Sequence, residues 1–161
     1  MHRHIYPSVV IFALLSVMQG ATAAEQHESM LMVPNENSVK WRPGPADLPK
    51  GSQISILAGD PGQPGPFVLR VRFPPSTMVA PHRHATAENL TVISGDFYHA
   101  MGEVIDKSTG EQMKPGGFVY LPGQMPHYVW TTDTESVVQV TGTGPFGLIY
   151  VNPDDNPSKA N

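Results

Sequence analysis

The sequence contains no cysteine. That excludes disulfides, thiolate metal sites and cysteine nucleophiles. Positive charge is scarce as well: 10 Lys and Arg stand against 14 Asp and Glu, a formal net charge of −4. No basic patch for nucleic acid and no polybasic membrane surface can be assembled from so few. Long apolar runs are missing too. Val9 to Met18 is about ten residues, half of the ~20 that a membrane-spanning helix needs. No stretch repeats apolar residues at i, i+3, i+4 over the length of a helix, which argues against an α-helical domain.

What is present begins with "MHRHIYPSVVIFALLSVMQGATAAEQ": a short basic start with Arg3, the brief apolar run, then small residues. This is the pattern of a signal peptide over residues 1–23, with cleavage after Ala23 or Ala24 and no membrane span in the mature form. The expected location is periplasmic or secreted. About 137 residues then remain, enough for one domain with a real core and too few for two. Residues 24–52 are polar and rich in Pro and Gly, and read as an extended N-terminal arm.

From Gln53 the pattern changes to short strands separated by turn residues. "FVLRVRF" alternates cleanly, with Phe67, Leu69, Val71 and Phe73 on one face and Arg70 and Arg72 on the other. "QISILA" precedes it, and "NLTVISG", "FYHAMG", "GFVYLP", "HYVWTT", "SVVQVTG" and "GLIYVN" follow, at spacings that favour an all-β sandwich or barrel over residues 53–151. Residues 152–161, "NPDDNPSKAN", read as a flexible C-terminal tail.

One stretch stands apart from ordinary core packing. "APHRHATAENL" places His82 and His84 one residue apart, so both imidazoles lie on the same face of a strand. Glu88 can return to the same point across a short turn, and His127 follows a Pro-Gly turn at the start of a later strand. Three neutral imidazoles and a carboxylate suit one divalent transition metal (Fe, Mn, Ni, Cu or Zn) and match Mg or Ca poorly. His99 shares a face with Phe97 and Met101, which should point inward. It is either a proton shuttle or hydrogen-bond donor in the pocket or a hydrogen-bonded core histidine, and the second is the commoner case. Gln139 and Thr141 make one face of "VVQVT" polar and line a ligand pocket if that face is interior. Tyr128 and Trp130 fall opposite His127, on a sheet-packing or dimer surface. Arg70 and Arg72 are either an anion site or, more commonly, a solvated outer face.

His82-x-His84-x3-Glu88-x6-Gly95 resembles the first motif of the cupin superfamily, and Gly116-x5-Pro122 followed by His127 resembles the second. The match departs at Ser76, where the first motif opens with glycine. It departs again at Gln124, where the second usually has glycine, and at Thr131, where asparagine is usual. The chain is similar to small exported single-domain cupins with "LAGDP…GPF", "PHRH" and "GP-aromatic-G" segments. It is also similar to the cupin half of ChrR-type anti-sigma factors, without their cysteine- and histidine-rich partner domain. The resemblance implies a double-stranded β-helix, or jelly-roll barrel, with a metal inside one mouth on His82, His84, Glu88 and His127. Cupins with this ligand set include dioxygenases, decarboxylases, isomerases and lyases.

Two functional expectations follow. The preferred one is an exported mononuclear metalloenzyme, oxygen-dependent and acting on a small oxygenated molecule. The alternative is a non-catalytic cupin that binds or senses a metal or a small ligand. A homodimer formed through outer strands is compatible with both.

Overall fold

The computed structural model describes residues 30–159, so the signal segment, the first residues of the arm and the last two of the tail lie outside the described residues. Within 30–159 the chain forms eleven strands and no α-helix; no helix is long and apolar enough to cross a membrane. The strands are β1 (Arg42–Pro43), β2 (Gln53–Ala58), β3 (Gly65–Phe73), β4 (Met78–Arg83), β5 (Glu88–Ser94) and β6 (Phe97–Met101). They continue as β7 (Glu111–Met113), β8 (Phe118–Leu121), β9 (His127–Thr131), β10 (Ser136–Gly144) and β11 (Ile149–Tyr150). All pairings are antiparallel. One sheet has the order β1-β2-β3-β10-β5-β8 and the other β11-β4-β9-β6-β7. Two such sheets facing each other make the expected jelly roll.

The period-2 alternation decides what each strand buries. On β3, Phe67, Leu69, Val71 and Phe73 are buried on the same inner face of the sheet as Leu90 and Val92 of β5 and Val138 and Val140 of β10, in one core. Gln139 and Thr141 therefore lie on the outer face of the sheet, which corrects their assignment to the ligand pocket. Gln139 instead accepts a hydrogen bond from Arg70 Nε at 3.2 Å, its neighbour across the β3–β10 ladder. Arg72 is also engaged on this outer face. Its guanidinium lies 4.2 Å from the Trp41 ring centre and 3.6 Å from Glu36, so it fastens the N-terminal arm to the sheet. The outer-face reading of the arginine pair holds.

On the opposite sheet, Tyr128 and Trp130 form a small outer cluster with Ala100, Met78 and Tyr98. They are not a free surface. The segment around a 3₁₀ turn at Lys107–Thr109 covers them: the Tyr128 hydroxyl donates to the Asp106 carbonyl and accepts from the Asp106 N–H, both at 2.8 Å. A side chain at Gly110 would strike the Trp130 ring. Residues 153–155 and 157–159 form two 3₁₀ turns, and the Asn152 and Asn156 side chains accept from the N–H groups of Asp154 and Ser158.

Ser76 and Gln124, the two departures from the glycine pattern, both keep the left-handed backbone, with φ of 56° and 66°. The turn geometry survives without the residue that adopts it at no cost. Thr131 has taken over a pinning role: its hydroxyl accepts from Thr77 N–H at 2.9 Å and donates to the Pro74 carbonyl at 2.7 Å. Left-handed backbone costs a residue with a Cβ about 1–2 kcal/mol, partly offset by the greater unfolded-state freedom of glycine. Ser76→Gly is therefore expected to stabilise the protein by about 0.5–1 kcal/mol, read as a higher denaturant midpoint at unchanged slope.

Candidate metal centre

A bulge in β4 aims the first ligand. Val79 pairs with Val129 of β9, but His82 pairs with His127, one residue out of register. On a regular strand Val79 and His82 would face opposite sides; the extra residue at Ala80-Pro81 turns both inward. His84 follows two residues later, just past the strand end. Glu88 opens β5 on the same inward face as Leu90 and Val92, and His127 opens β9 on the face of Val129.

The ligand nitrogens of His82, His84 and His127 come within 4.8 Å of one another, and all three residues are buried. Each ring is oriented through Nδ1 by a backbone carbonyl: Ala80 at 2.8 Å, Gly147 at 2.5 Å and Met125 at 3.1 Å, respectively. A carbonyl can only accept, so each Nδ1 carries the hydrogen, and a neutral ring then leaves Nε2 bare. Phe146 stacks on His84 with ring centres 3.9 Å apart and planes 9° apart, fixing that ring's plane.

Glu88 borders the cluster. Its Oε2 lies 3.5 Å from His84 Nε2 and 3.4 Å from His127 Nε2, outside hydrogen-bond geometry, and is buried without a hydrogen-bond partner. Bare nitrogens and a carboxylate oxygen facing one another are mutually repulsive unless a cation lies among them. The donor set thus fits a divalent metal, with His82, His84 and His127 forming the core of the site and Glu88 at its edge.

Burial, and then the positive charge of neighbouring imidazoles, hold His82 well below the ordinary histidine value. Burial also lowers His84, although Glu88 pulls the other way. Burial by itself would raise Glu88, but His127, then His84 and His99, when they carry a proton, outweigh it and keep the carboxyl below its usual range. His99 is brought down to about 4, again chiefly by burial.

These shifts set the acid response of the metal-free protein. A histidine whose folded pKa lies below 6.5 protonates first in the unfolded chain. Stability is thus intact above 6.5 and falls as pH drops, for His99 down to about 4. Glu88 adds a further loss below its unfolded value of 4.5, where the unfolded chain takes the proton first. Urea midpoints of metal-free protein are expected to drop steadily from pH 7 to pH 4.5, each buried histidine contributing up to about 1.4 kcal/mol per pH unit. A midpoint that stays flat from pH 7 to pH 5 would contradict the neutral-imidazole assignment.

The cluster lies on the wall of a cavity of ≈ 280 Å³ inside the barrel. Apolar side chains of both sheets supply most of the rest, and Pro45, Asp47 and Leu48 of the arm close part of it. His99 does not line this cavity. It sits behind His127, ring centres 5.3 Å apart, and faces a second cavity with Met101, Glu111 and Phe118. Its Nε2 is buried and unpartnered, so it is not the hydrogen-bonded core histidine that is the commoner case.

Several residues that complete the site were not singled out in the sequence. The "GP-aromatic-G" segment contains Phe146 and Gly147, but its spacing does not reveal that one stacks on His84 and the other orients it. The carbonyls of Ala80 and Met125 carry no side-chain signal at all. Asp47 lies in an arm with no periodicity.

Residues 29–147 match a family model described as the ChrR cupin-like domain. No curated protein sequence matches the chain. Among solved structures it is similar to the polyketide cyclase RemF from Streptomyces resistomycificus, at 18% identity and TM-score 0.65, over 80% of this chain and 91% of that one. It is also similar to the DMSP lyase DddQ from Ruegeria pomeroyi DSS-3, at 19% identity and TM-score 0.58, over 73% and 64% of the two chains. An oxalate oxidase in complex with the substrate analogue glycolate aligns at 17% identity and TM-score 0.56, over 83% and 72%. Identities this low establish a common fold.

Proposed function

The chain belongs to the ChrR cupin-like family, and from that premise we propose that it is an exported mononuclear metalloprotein that binds a small molecule at its metal. His82, His84, Glu88 and His127 are the proposed ligands. The observation that carries this reading is the set of bare Nε2 atoms and the unpartnered Glu88 oxygen on a cavity wall. When bound, a divalent transition metal supplies Lewis acidity or redox chemistry to an oxygenated ligand. The chain's own residues hold that metal, orient its imidazoles through three carbonyls and surround it with an apolar, water-poor cavity.

Catalysis, with oxygen as co-substrate, is preferred over storage or sensing. A structural site is enclosed by its ligands, whereas this one faces a chamber large enough for a second molecule. The binding-only alternative is supported by the position of His99, which leaves the cavity without an obvious histidine base beyond the ligands. Export is supported by the N-terminal sequence, and intact mass of the protein recovered from outside the cytoplasm is expected to show cleavage after Ala23 or Ala24. A homodimer is supported by Phe118 and Tyr120, exposed on the edge strand β8; analytical ultracentrifugation tests it.

The deciding measurement is metal content by plasma mass spectrometry on protein isolated without chelators. Near-stoichiometric iron, manganese, nickel or copper supports the catalytic reading, and oxygen uptake in the presence of candidate substrates follows. Stoichiometric zinc shifts the reading towards hydrolytic or structural roles. No uptake of any of the five ions, even on reconstitution, overturns it.

A further inference from the structure

The walls of the main cavity say what kind of molecule belongs in it. Among the described residues, and outside the three histidines and Glu88, its lining contains a single polar side chain, Asp47, and no lysine, arginine, serine, threonine, asparagine or glutamine. Phe73, Val79, Leu90, Phe97, Val129 and Val138 make the inner part entirely apolar. A cavity of ≈ 280 Å³ exceeds the apolar hole of about 150 Å³ that already takes up benzene. One ring with a short side chain therefore fits.

Asp47 is placed rather than incidental. The turn that carries it is closed by Leu48 N–H to the Pro45 carbonyl at 3.0 Å and Gly44 N–H to the Ser52 carbonyl at 2.9 Å. The Tyr150 hydroxyl donates to the Asp47 carbonyl at 2.7 Å, while the Tyr150 ring lies 6.1 Å from the His82 ring. Asp47 is half-buried, and its Oδ1 meets no donor among the described residues. As a carboxylate on the cavity wall it is the acceptor that a donor on the ligand would meet.

We infer that the cavity takes a small amphipathic molecule with an oxygen-bearing head at the histidine–Glu88 cluster, an apolar single-ring body and a hydroxyl or ammonium donor that meets Asp47. The head placement rests on the metal reading above; the body and the donor rest on the cavity walls alone. A diacid whose second carboxylate reaches the far end of the cavity is excluded, because among the described residues no cationic side chain lines it and Asp47 would repel that carboxylate.

Calorimetric titration of metal-loaded protein with 4-hydroxyphenylacetate, phenylacetate and 1,4-phenylenediacetate tests this. The hydroxylated acid is expected to bind about tenfold or more tightly than phenylacetate, the size of one hydrogen bond to a charged acceptor. Asp47→Ala should erase that preference while leaving phenylacetate within about twofold; Asp47→Asn, which keeps an acceptor oxygen, should retain part of it. 1,4-Phenylenediacetate binding more tightly than phenylacetate, or the hydroxyl preference surviving in Asp47→Ala, would overturn the inference. Metal content measured on the same preparation separates the two readings. If no metal is taken up, the head placement falls with the metal reading, and p-cresol against toluene on the metal-free protein tests what remains. Asp47-dependent preference for p-cresol upholds body and donor, and its absence removes them.

Discussion

Replacing both His82 and His84 by alanine is expected to reduce metal content from near one equivalent to background while leaving a folded barrel. These two residues supply two of the three nitrogens that come within 4.8 Å of one another, and His127 with Glu88 cannot surround a cation from the remaining side. The structural cost is small by comparison. His82 bonds only the carbonyl two residues before it, and His84 bonds one carbonyl, Gly147. Losing each bond costs about 1 kcal/mol. The core of Phe67, Val92, Phe97 and Val138 is untouched. Circular dichroism unchanged with metal lost would locate the site; full metal retention would move it elsewhere.

Glu88→Gln separates a ligand from a structural carboxylate by the sign of its effect. In the metal-free protein Glu88 presents an oxygen to two bare nitrogens and has no hydrogen-bond partner. Glutamine keeps the shape and can donate an N–H to one of those nitrogens. The metal-free variant should therefore be as stable as the parent or more so, by up to about 1–1.5 kcal/mol. The loaded protein should respond in the opposite direction. A metal present at a thousand times its Kd stabilises the folded state by about 4.1 kcal/mol, and weaker binding by the variant shrinks that increment. Melting curves with and without metal measure both effects in one experiment. A variant that is destabilised equally in both states would make Glu88 a structural acceptor and remove the main support for a cation at this point.

Much of this was legible before any coordinates. The alternation of Phe67, Leu69, Val71 and Phe73, and the turn residues between short apolar runs, determine an all-β chain because strand side chains alternate and nothing in the sequence repeats with helical period. The spacing of His82, His84 and Glu88 before Gly95 marks the site residues. Gly95 itself adopts φ of 82°, and a Cβ there would strike the Glu135 carbonyl.

The tertiary structure decided what alternation leaves ambiguous: which of two faces is inside. Gln139 and Thr141 face outward because Val138 and Val140 are the residues the facing sheet can bury. His82 faces inward only because β4 bulges at Ala80-Pro81, a register shift set by pairing with β9. His99 faces inward as expected, yet lies behind His127 and outside the main cavity, a matter of depth that no period encodes. The bare Nε2 atoms depend on carbonyls as far away in sequence as Gly147, and the one further polar side chain that the described residues bring to the cavity, Asp47, comes from the N-terminal arm. Local spacing chooses residue types and faces. Which backbone atoms orient them, and what shares their cavity, depends on contacts between distant segments that only the closed barrel brings together.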